Sequence, residues 1–460
     1  MKRLISIFSL LSVLSCSTSE KEPYDLVFAN ATVVDVIKGE VIENQLIAIK
    51  DDTIVRVVDM ANQKEVSASK KIDLNGKYIM PGLWDNHVHF RGGDSLIAEN
   101  RDMLPLFLKF GITTVRDAGG DITPSVLSWK ENIVNKTLDG PFIFTSGPKL
   151  DGHDPAWPGS IQVTNSEQIN DALDSIEAIE GNYVKMYDGS LTADTYYQII
   201  EEAERRGLKT TGHMPMSADL LTAVDYGLDG TEHMYYVLKA CSPKADSLTK
   251  LDLGYGMVST LVDTYDKNLA NQVYTELAKQ NFYITPTLYI GKTLSQLADA
   301  DHSGDSLLQY MGQGIQKTYQ GRIDRAKAAK ESGNNSRSKL AALTNQMITP
   351  MYEAGVHLLA GSDCGPYNSY VYPGESLHGE LRALVKTGLN PQQALITSVV
   401  NGPKFFGLER YYGSVTNGKV ADLLILEANP LTNIENLTSI NLVVAKGKSY
   451  NLNELRDLLK

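Results

Sequence analysis

The sequence predicts an α/β fold, a (β/α)8 TIM barrel with a small β-sandwich built from both the N- and C-terminal segments. Three observations predict it. Short β-rich runs alternate with helix-period runs through the middle of the chain, as βα units feeding a parallel sheet do. About eight such units occur, the number that closes a barrel. Finally, both ends of the chain carry short alternating strand runs that neither end can bury alone. The length of 460 residues suits one large barrel with an appended module.

The N-terminus reads as an address. Met1-Lys2-Arg3 supplies positive charge, and residues 4–14 form an apolar run too short to span a bilayer as a folded helix. The run ends Val13-Leu14-Ser15-Cys16 and then turns polar, which resembles a bacterial lipoprotein processing site with Cys16 as the lipidated residue. An ordinary cleaved signal with an incidental cysteine is the alternative. The expected location is the bacterial cell envelope, lipid-anchored or periplasmic, with membrane contact through this anchor only. Residues 1–23 are therefore assigned to signal, anchor and linker, 24–79 plus 404–460 to the composite sandwich, and 80–403 to the barrel.

Within residues 24–79, alternating runs such as Asp25-Leu26-Val27-Phe28 and Gln45-Leu46-Ile47-Ala48-Ile49 are separated by Gly, Asn and Asp turns. Residues 421–426 and 441–448 echo them near the other end. Candidate barrel strands are 83–90, 113–118, 141–146, 183–187, 209–213, 230–233, 283–289 and 357–362. A sample helix covers 194–206, with Tyr197, Ile199, Ile200 and Ala203 as its inward stripe and Gly207 ending it. The connections 236–280 and 291–350 are long for this architecture, and they either cap the barrel mouth or lengthen its outer ring.

Composition narrows the function. Hydrophobic residues at 42% and charged residues at 21% describe a chain that can bury a core. Forty-three Lys+Arg against 55 Asp+Glu leave a net charge of -12 and no basic run, so no nucleic-acid partner is expected. Three cysteines, Cys16, Cys241 and Cys364, are too few for a disulfide scaffold.

Of eight histidines, four end candidate strands: His87 and His89 on the first, His213 on the fifth and His233 on the sixth. Barrel chemistry sits at those ends. Two residues apart on a strand, His87 and His89 share a face and can reach one ion. Asp363, in Gly361-Ser362-Asp363, ends the eighth strand. A buried polar set of this kind needs partners, and a metal ion is the partner its residue types suit. His302, His357 and His378 fit no such pattern and are read as structural; Cys364 is read as packing.

The stretch Pro81-Gly82-Leu83-Trp84-Asp85-Asn86-His87-Val88-His89 resembles the first-strand motif of the amidohydrolase superfamily, in the branch of imidazolonepropionase-like and prolidase-like (Xaa-Pro) dipeptidases. Gly418-Lys419-Val420-Ala421-Asp422-Leu423 is similar to that family's C-terminal motif. The resemblance implies a hydrolase acting on carbon-nitrogen bonds of a small-molecule substrate, such as a dipeptide or N-acyl amino acid. It implies two divalent metal ions, zinc favoured by the imidazoles, held by His87, His89, Lys185, His213, His233 and Asp363. Lys185 resembles the lysine that is carbamylated in binuclear members and bridges the metals; a lysine paired to a carboxylate in a one-metal site is the alternative. The implied nucleophile is a metal-bridged hydroxide, with Asp363 as proton shuttle and catalytic residue.

The loop Lys149-Leu150-Asp151-Gly152-His153-Asp154 is similar to a family loop over the substrate, with Asp151 in place of its first glycine. It makes His153 a candidate substrate-binding residue, a surface histidine being the other reading. Tyr235 is a second candidate, a packing aromatic its alternative. Two further readings of the whole chain stand beside amide hydrolysis: a mononuclear cyclic-amide hydrolase or deaminase, and an inactive envelope lipoprotein using the fold for binding.

Overall fold

The structure, a computed structural model, describes residues 24–62 and 66–460. The signal segment and Cys16 lie outside the described residues. No helix among the described residues is long and apolar enough to cross a membrane.

The N-terminal stretch forms β1 (Tyr24–Asp35), β2 (Glu40–Lys50), β3 (Thr53–Asp59), β4 (Ala68–Asp73) and β5 (Tyr78–Pro81). The central strands are β6 (Leu83–Val88), β7 (Ile112–Asp117) and β8 (Phe142–Thr145), then the short β9 (Leu150–Asp151) and β10 (Ile161–Gln162), then β11 (Val184–Met186) and β12 (Thr210–Gly212). They continue with β13 (Gly230–Glu232), β14 (Tyr283–Thr285) and β15 (His357–Leu358). The chain ends through β16 (Leu423–Leu426), β17 (Ile440–Ala445) and β18 (Lys448–Asn451).

Both ends share one eight-stranded sheet, in the order β18-β17-β16-β5-β1-β2-β3, with β4 pairing β1. The junction is antiparallel, Leu423 facing Pro81 and Ile425 facing Ile79 across β16 and β5. Leu26, Phe28, Ile47 and Ile79 pack with Leu423, Ile425 and Val444 in one core. Each end thus covers apolar surface the other would expose.

The central strands run parallel in three hydrogen-bonded groups: β6-β7-β8, β10-β9-β11-β12 and β13-β14-β15. Backbone bonds link groups. Asn182 N donates to Thr145 O at 2.8 Å, and between the last and first strands Asn86 N donates to Ala360 O at 3.0 Å and Asp363 N to His87 O at 2.7 Å. These last bonds set the loop carrying Asp363 against the strand carrying His87.

Besides shifts of a residue or two at strand ends, three details differ from the sequence expectation, the first being that the eighth strand, expected over 357–362, is only His357–Leu358 and leaves Asp363 in the loop beyond it. In the helix Ala193–Arg206 the buried stripe is Tyr196, Ile199, Ile200 and Ala203, an i, i+3, i+4, i+7 set, while Tyr197 is half-buried and stacks on Tyr226 at 5.3 Å. Gly207 ends the helix at φ 71°, a conformation that costs glycine little. The seventh strand stops at Thr285 rather than residue 289, because Pro286 has no N–H to donate and Thr287, at φ 50°, turns the chain into the helix Leu288–Gln296.

Helices fill both long connections. The first includes Lys267–Lys279, whose N-cap Asp266 accepts from Asn268 N and Leu269 N. The second folds into Leu288–Gln296, Gln313–Thr318, Gln320–Glu331 and Ser336–Ala354. Both send residues, Tyr255 from the first and Arg337 from the second, into a cavity beside the strand-end histidines.

Candidate metal centre

His87 lies near the C-terminal end of β6 and His89 just past it. Their Nε2 atoms are 3.3 Å apart, and Asp363 Oδ1 lies 3.4 Å from the first and 3.2 Å from the second. One ligand atom from each of the three falls within 4.8 Å of the other two. His233 Nε2 stands 3.9 Å from Asp363 Oδ2. The His213 ring is next, its centroid 4.9 Å from that of His233. The structure therefore gathers His87, His89, His213, His233 and Asp363 at the C-terminal ends of the parallel strands, where side chains from separate strands converge.

Each group is held by a partner. His87 Nδ1 is 2.5 Å from Glu232 Oε2, His213 Nδ1 3.2 Å from Asp188 Oδ1, and His233 Nδ1 2.7 Å from Thr287 Oγ1. Such outer partners fix the ring orientation and leave Nε2 for a ligand. Asn368 Nδ2 donates to Asp363 Oδ1 at 2.8 Å and also to the Asp363 carbonyl. His233 and Asp363 have φ values of 62° and 57°, left-handed conformations that are unusual away from glycine.

Glu232 anchors the interior of the site. Completely buried, it accepts from Arg116 Nη2 at 3.0 Å and Thr211 Oγ1 at 3.0 Å besides facing His87. Lys185 Nζ is 3.7 Å from Glu232 Oε1, too far for a hydrogen bond, and this buried amine has no hydrogen-bond partner. Burial lowers the Lys185 pKa to about 8, with Glu232 opposing and Arg116 reinforcing the shift.

The protonation states suit a cation. Burial pushes His89 well below the usual imidazole range, Arg91 reinforcing it, and burial then His213 bring His233 to about 3. Burial also lowers His213 against the pull of Asp188. His87 moves up, the carboxylates of Glu232 and Asp363 outweighing burial. Burial would raise Asp363, but His87 and His89 hold it well below the normal carboxylate range. The neutral imidazoles of His89, His213 and His233 and the ionised carboxylate of Asp363, with His87 Nε2 beside them, form a donor set that fits a divalent ion.

A cavity of about 300 Å³ adjoins the cluster, lined by His213, His233 and Asp363 and by Tyr187, Tyr235 and Tyr255. Tyr255, from the first long connection, donates to Asp188 Oδ2 at 2.5 Å. Tyr235 is half-buried and borders the cavity, whereas His153 is exposed and does not line it. His302, His357 and His378 stay outside the site: His302 pairs with Asp305 at 2.9 Å, His357 neighbours Lys404, and His378 Nε2 bonds the Phe110 carbonyl at 2.8 Å. Cys364 is a buried free thiol.

Sequence reasoning missed Glu232, Asp188, Arg116 and Thr287. Glu232 did carry a signal, as an acid inside an otherwise uncharged strand directly before a candidate ligand.

Curated relatives include adenine deaminases from Kosmotoga olearia, 38% identical over 95 residues, and Dehalococcoides mccartyi, 30% identical over 148 residues. These matches cover 21% and 29% of this chain but only 15% and 24% of the deaminases. Among solved structures, a putative prolidase from Bifidobacterium longum superposes with a TM-score of 0.67 at 20% identity, covering 94% of this chain and 98% of its own. A Xaa-Pro dipeptidase with bound methionine in the active site gives 0.68 at 16%, covering 93% and 99%. Bottromycin amidohydrolase gives 0.71 at 19%, covering 94% and 88%. At these identities the structural likeness speaks to the fold. The model of the amidohydrolase family matches residues 78–450, from β5 through the strand-end histidines to β18, and the chain belongs to that family.

Proposed function

We propose that the protein is a divalent-metal hydrolase that cleaves an amide C–N bond in a small substrate of the dipeptide or N-acyl amino acid class. The observation that carries this is the meeting of His87, His89 and Asp363 within 4.8 Å beside a cavity of substrate size. His213, His233 and Lys185 are assigned as further holders of a two-metal site, with zinc favoured by the imidazoles. The Lys185 amine, 3.7 Å from Glu232 and without a hydrogen bond, supports its place there, since a buried lysine with a lowered pKa exposes free amine that can add CO₂, release a proton and become an anionic oxygen ligand.

Divalent ions held there supply Lewis acidity, polarising the scissile carbonyl and making water acidic enough to act near neutral pH. The remaining work falls to the chain. Asp363, kept ionised, accepts the proton of the attacking water and passes it to the leaving nitrogen. Glu232, Asp188 and Thr287 keep the imidazoles aimed, and Asn368 holds the Asp363 carboxylate. Tyr235, its phenol kept protonated by burial, is a donor for a substrate carbonyl or carboxylate.

In the same reading the three strand groups close as one (β/α)8 barrel over 80–403, supported by the bonds between its last and first strands. The eight-stranded sheet forms the small sandwich of 24–79 and 404–460, and Cys16 tethers the chain in the cell envelope, a reading from sequence. The matches to adenine deaminases favour a second reading, deamination at the same centre. Full-length protein loaded with Zn or Mn and assayed on dipeptides, N-acyl amino acids and adenine separates the two. Amine release from an amide substrate, lost in Asp363→Asn, supports the proposal; ammonia from adenine without amide cleavage supports the second reading.

A further inference from the structure

The cavity wall opposite the strands comes from the second long connection. Arg337, Leu340, Ala341 and Thr344 of the helix Ser336–Ala354, spaced i, i+3, i+4 and i+7, line it along one helix face. Arg322, from the helix Gln320–Glu331, reaches the same space. Its Nε donates to Tyr367 O at 2.7 Å and its Nη2 to Asn368 Oδ1 at 2.6 Å, which leaves Nη1 uncommitted. The Arg337 guanidinium has no hydrogen-bond or ion-pair partner among the described residues. Its position is electrostatically odd as well, because the first turn of its helix carries no acid and the N-terminal end of a helix favours negative charge.

The nearby carboxylates are already engaged. Asp363 faces His87 and His89, Glu232 faces Arg116 and His87, and Asp188 faces His213 and Tyr255. Close by, Arg91 is only 4% exposed; its side chain makes one hydrogen bond, from Nε to Pro366 O at 3.1 Å, stacks over the Trp157 ring at 4.1 Å and has no carboxylate at ion-pair distance among the described residues. Arg322 Nη1 and the Arg337 guanidinium thus face the cavity with no carboxylate among the described residues hydrogen-bonded to them, donors that an anionic group of a ligand can take up. Leu288, Leu294 and Leu340 line the cavity beside these arginines.

We propose that Arg322 and Arg337 bind a free carboxylate of the substrate while Leu288, Leu294 and Leu340 receive an aliphatic side chain. The preferred substrate class is then an aliphatic amino acid bearing an N-acyl or N-aminoacyl group. This rests on the amide-hydrolase reading above and specifies which amides the site selects. A planar guanidinium suits the task because it meets a carboxylate through two parallel N–H donors.

The test compares N-acetyl-L-leucine with N-acetyl-L-leucinamide on metal-loaded full-length protein, measuring binding by calorimetry and following hydrolysis in parallel. The acid binds more tightly than the amide by about tenfold or more, the usual advantage of a charge-assisted pair. Arg337→Gln, at an exposed side chain with no bond to lose, removes most of that preference, and Arg337→Lys restores part of it. Equal affinity for acid and amide, no binding of the acid at millimolar concentration, or a preference unchanged in both Arg337→Gln and Arg322→Lys overturns the proposal. Acid preference without hydrolysis keeps it and removes the amide-hydrolase reading. Equal hydrolysis of both probes does the reverse.

Discussion

Glu232→Gln perturbs the site without touching the cavity. The wild-type carboxylate is completely buried, meets Arg116 at 3.0 Å, Thr211 at 3.0 Å and His87 at 2.5 Å, and lies 3.7 Å from Lys185. Glutamine keeps the shape and some hydrogen bonding but removes the only carboxylate paired with Arg116 among the described residues. Breaking a buried ion pair from one side costs about 3 kcal/mol or more, because the surviving charge stays desolvated. His87 also loses the anion that orients its ring, and loss of such an outer partner typically weakens metal binding by about 10- to 100-fold. Urea unfolding of chelator-treated wild type and variant measures the first effect, and competition with a fluorescent zinc chelator the second. A stability loss under about 1 kcal/mol, the size of an exposed pair, together with unchanged metal affinity would refute the role given to Glu232.

Lys185→Ala lowers metal content from about two ions per chain to one and abolishes activity, as expected for a bridging ligand; activity intact at one ion removes that role. Asp363→Asn keeps the fold and loses about a hundredfold or more in turnover, the usual cost of a missing proton carrier; wild-type turnover means another group carries the proton. Cys16→Ser releases the protein from membranes or stalls processing while the soluble domain keeps its activity, checked by fractionation; wild type wholly in the soluble envelope fraction, with another mature N-terminus, contradicts the anchor.

Strand positions were legible because period-2 runs bounded by Gly and Pro leave few alternatives, and His87 and His89 because two histidines on alternate strand positions share a face. Glu232 was hidden by that same rule. It neighbours His233, and alternation would send the two side chains to opposite faces. The left-handed φ of 62° at His233 breaks the alternation and lets both serve one site. A local sequence reading has no access to such a backbone reversal. Tyr196 displaced Tyr197 from the helix stripe because one residue of phase, about 100° of rotation, separates a core position from a half-buried one. Arg322 and Arg337 were illegible for a different reason: the sequence offered a cap over the barrel mouth from 291–350 as one of two readings, but only tertiary packing decides which of its side chains reach the cavity.

The central claim is that the strand-end histidines and Asp363 hold divalent metal for C–N hydrolysis. Its most direct test is metal content measured on the same wild-type and His87→Ala, His89→Ala preparations whose amide hydrolysis is assayed. Wild type should hold about two ions per chain, lose activity on chelation and regain it with Zn or Mn, and the variant should lose both metal and turnover. Amide hydrolysis that survives exhaustive chelation, or a double variant that keeps its metal, would contradict it.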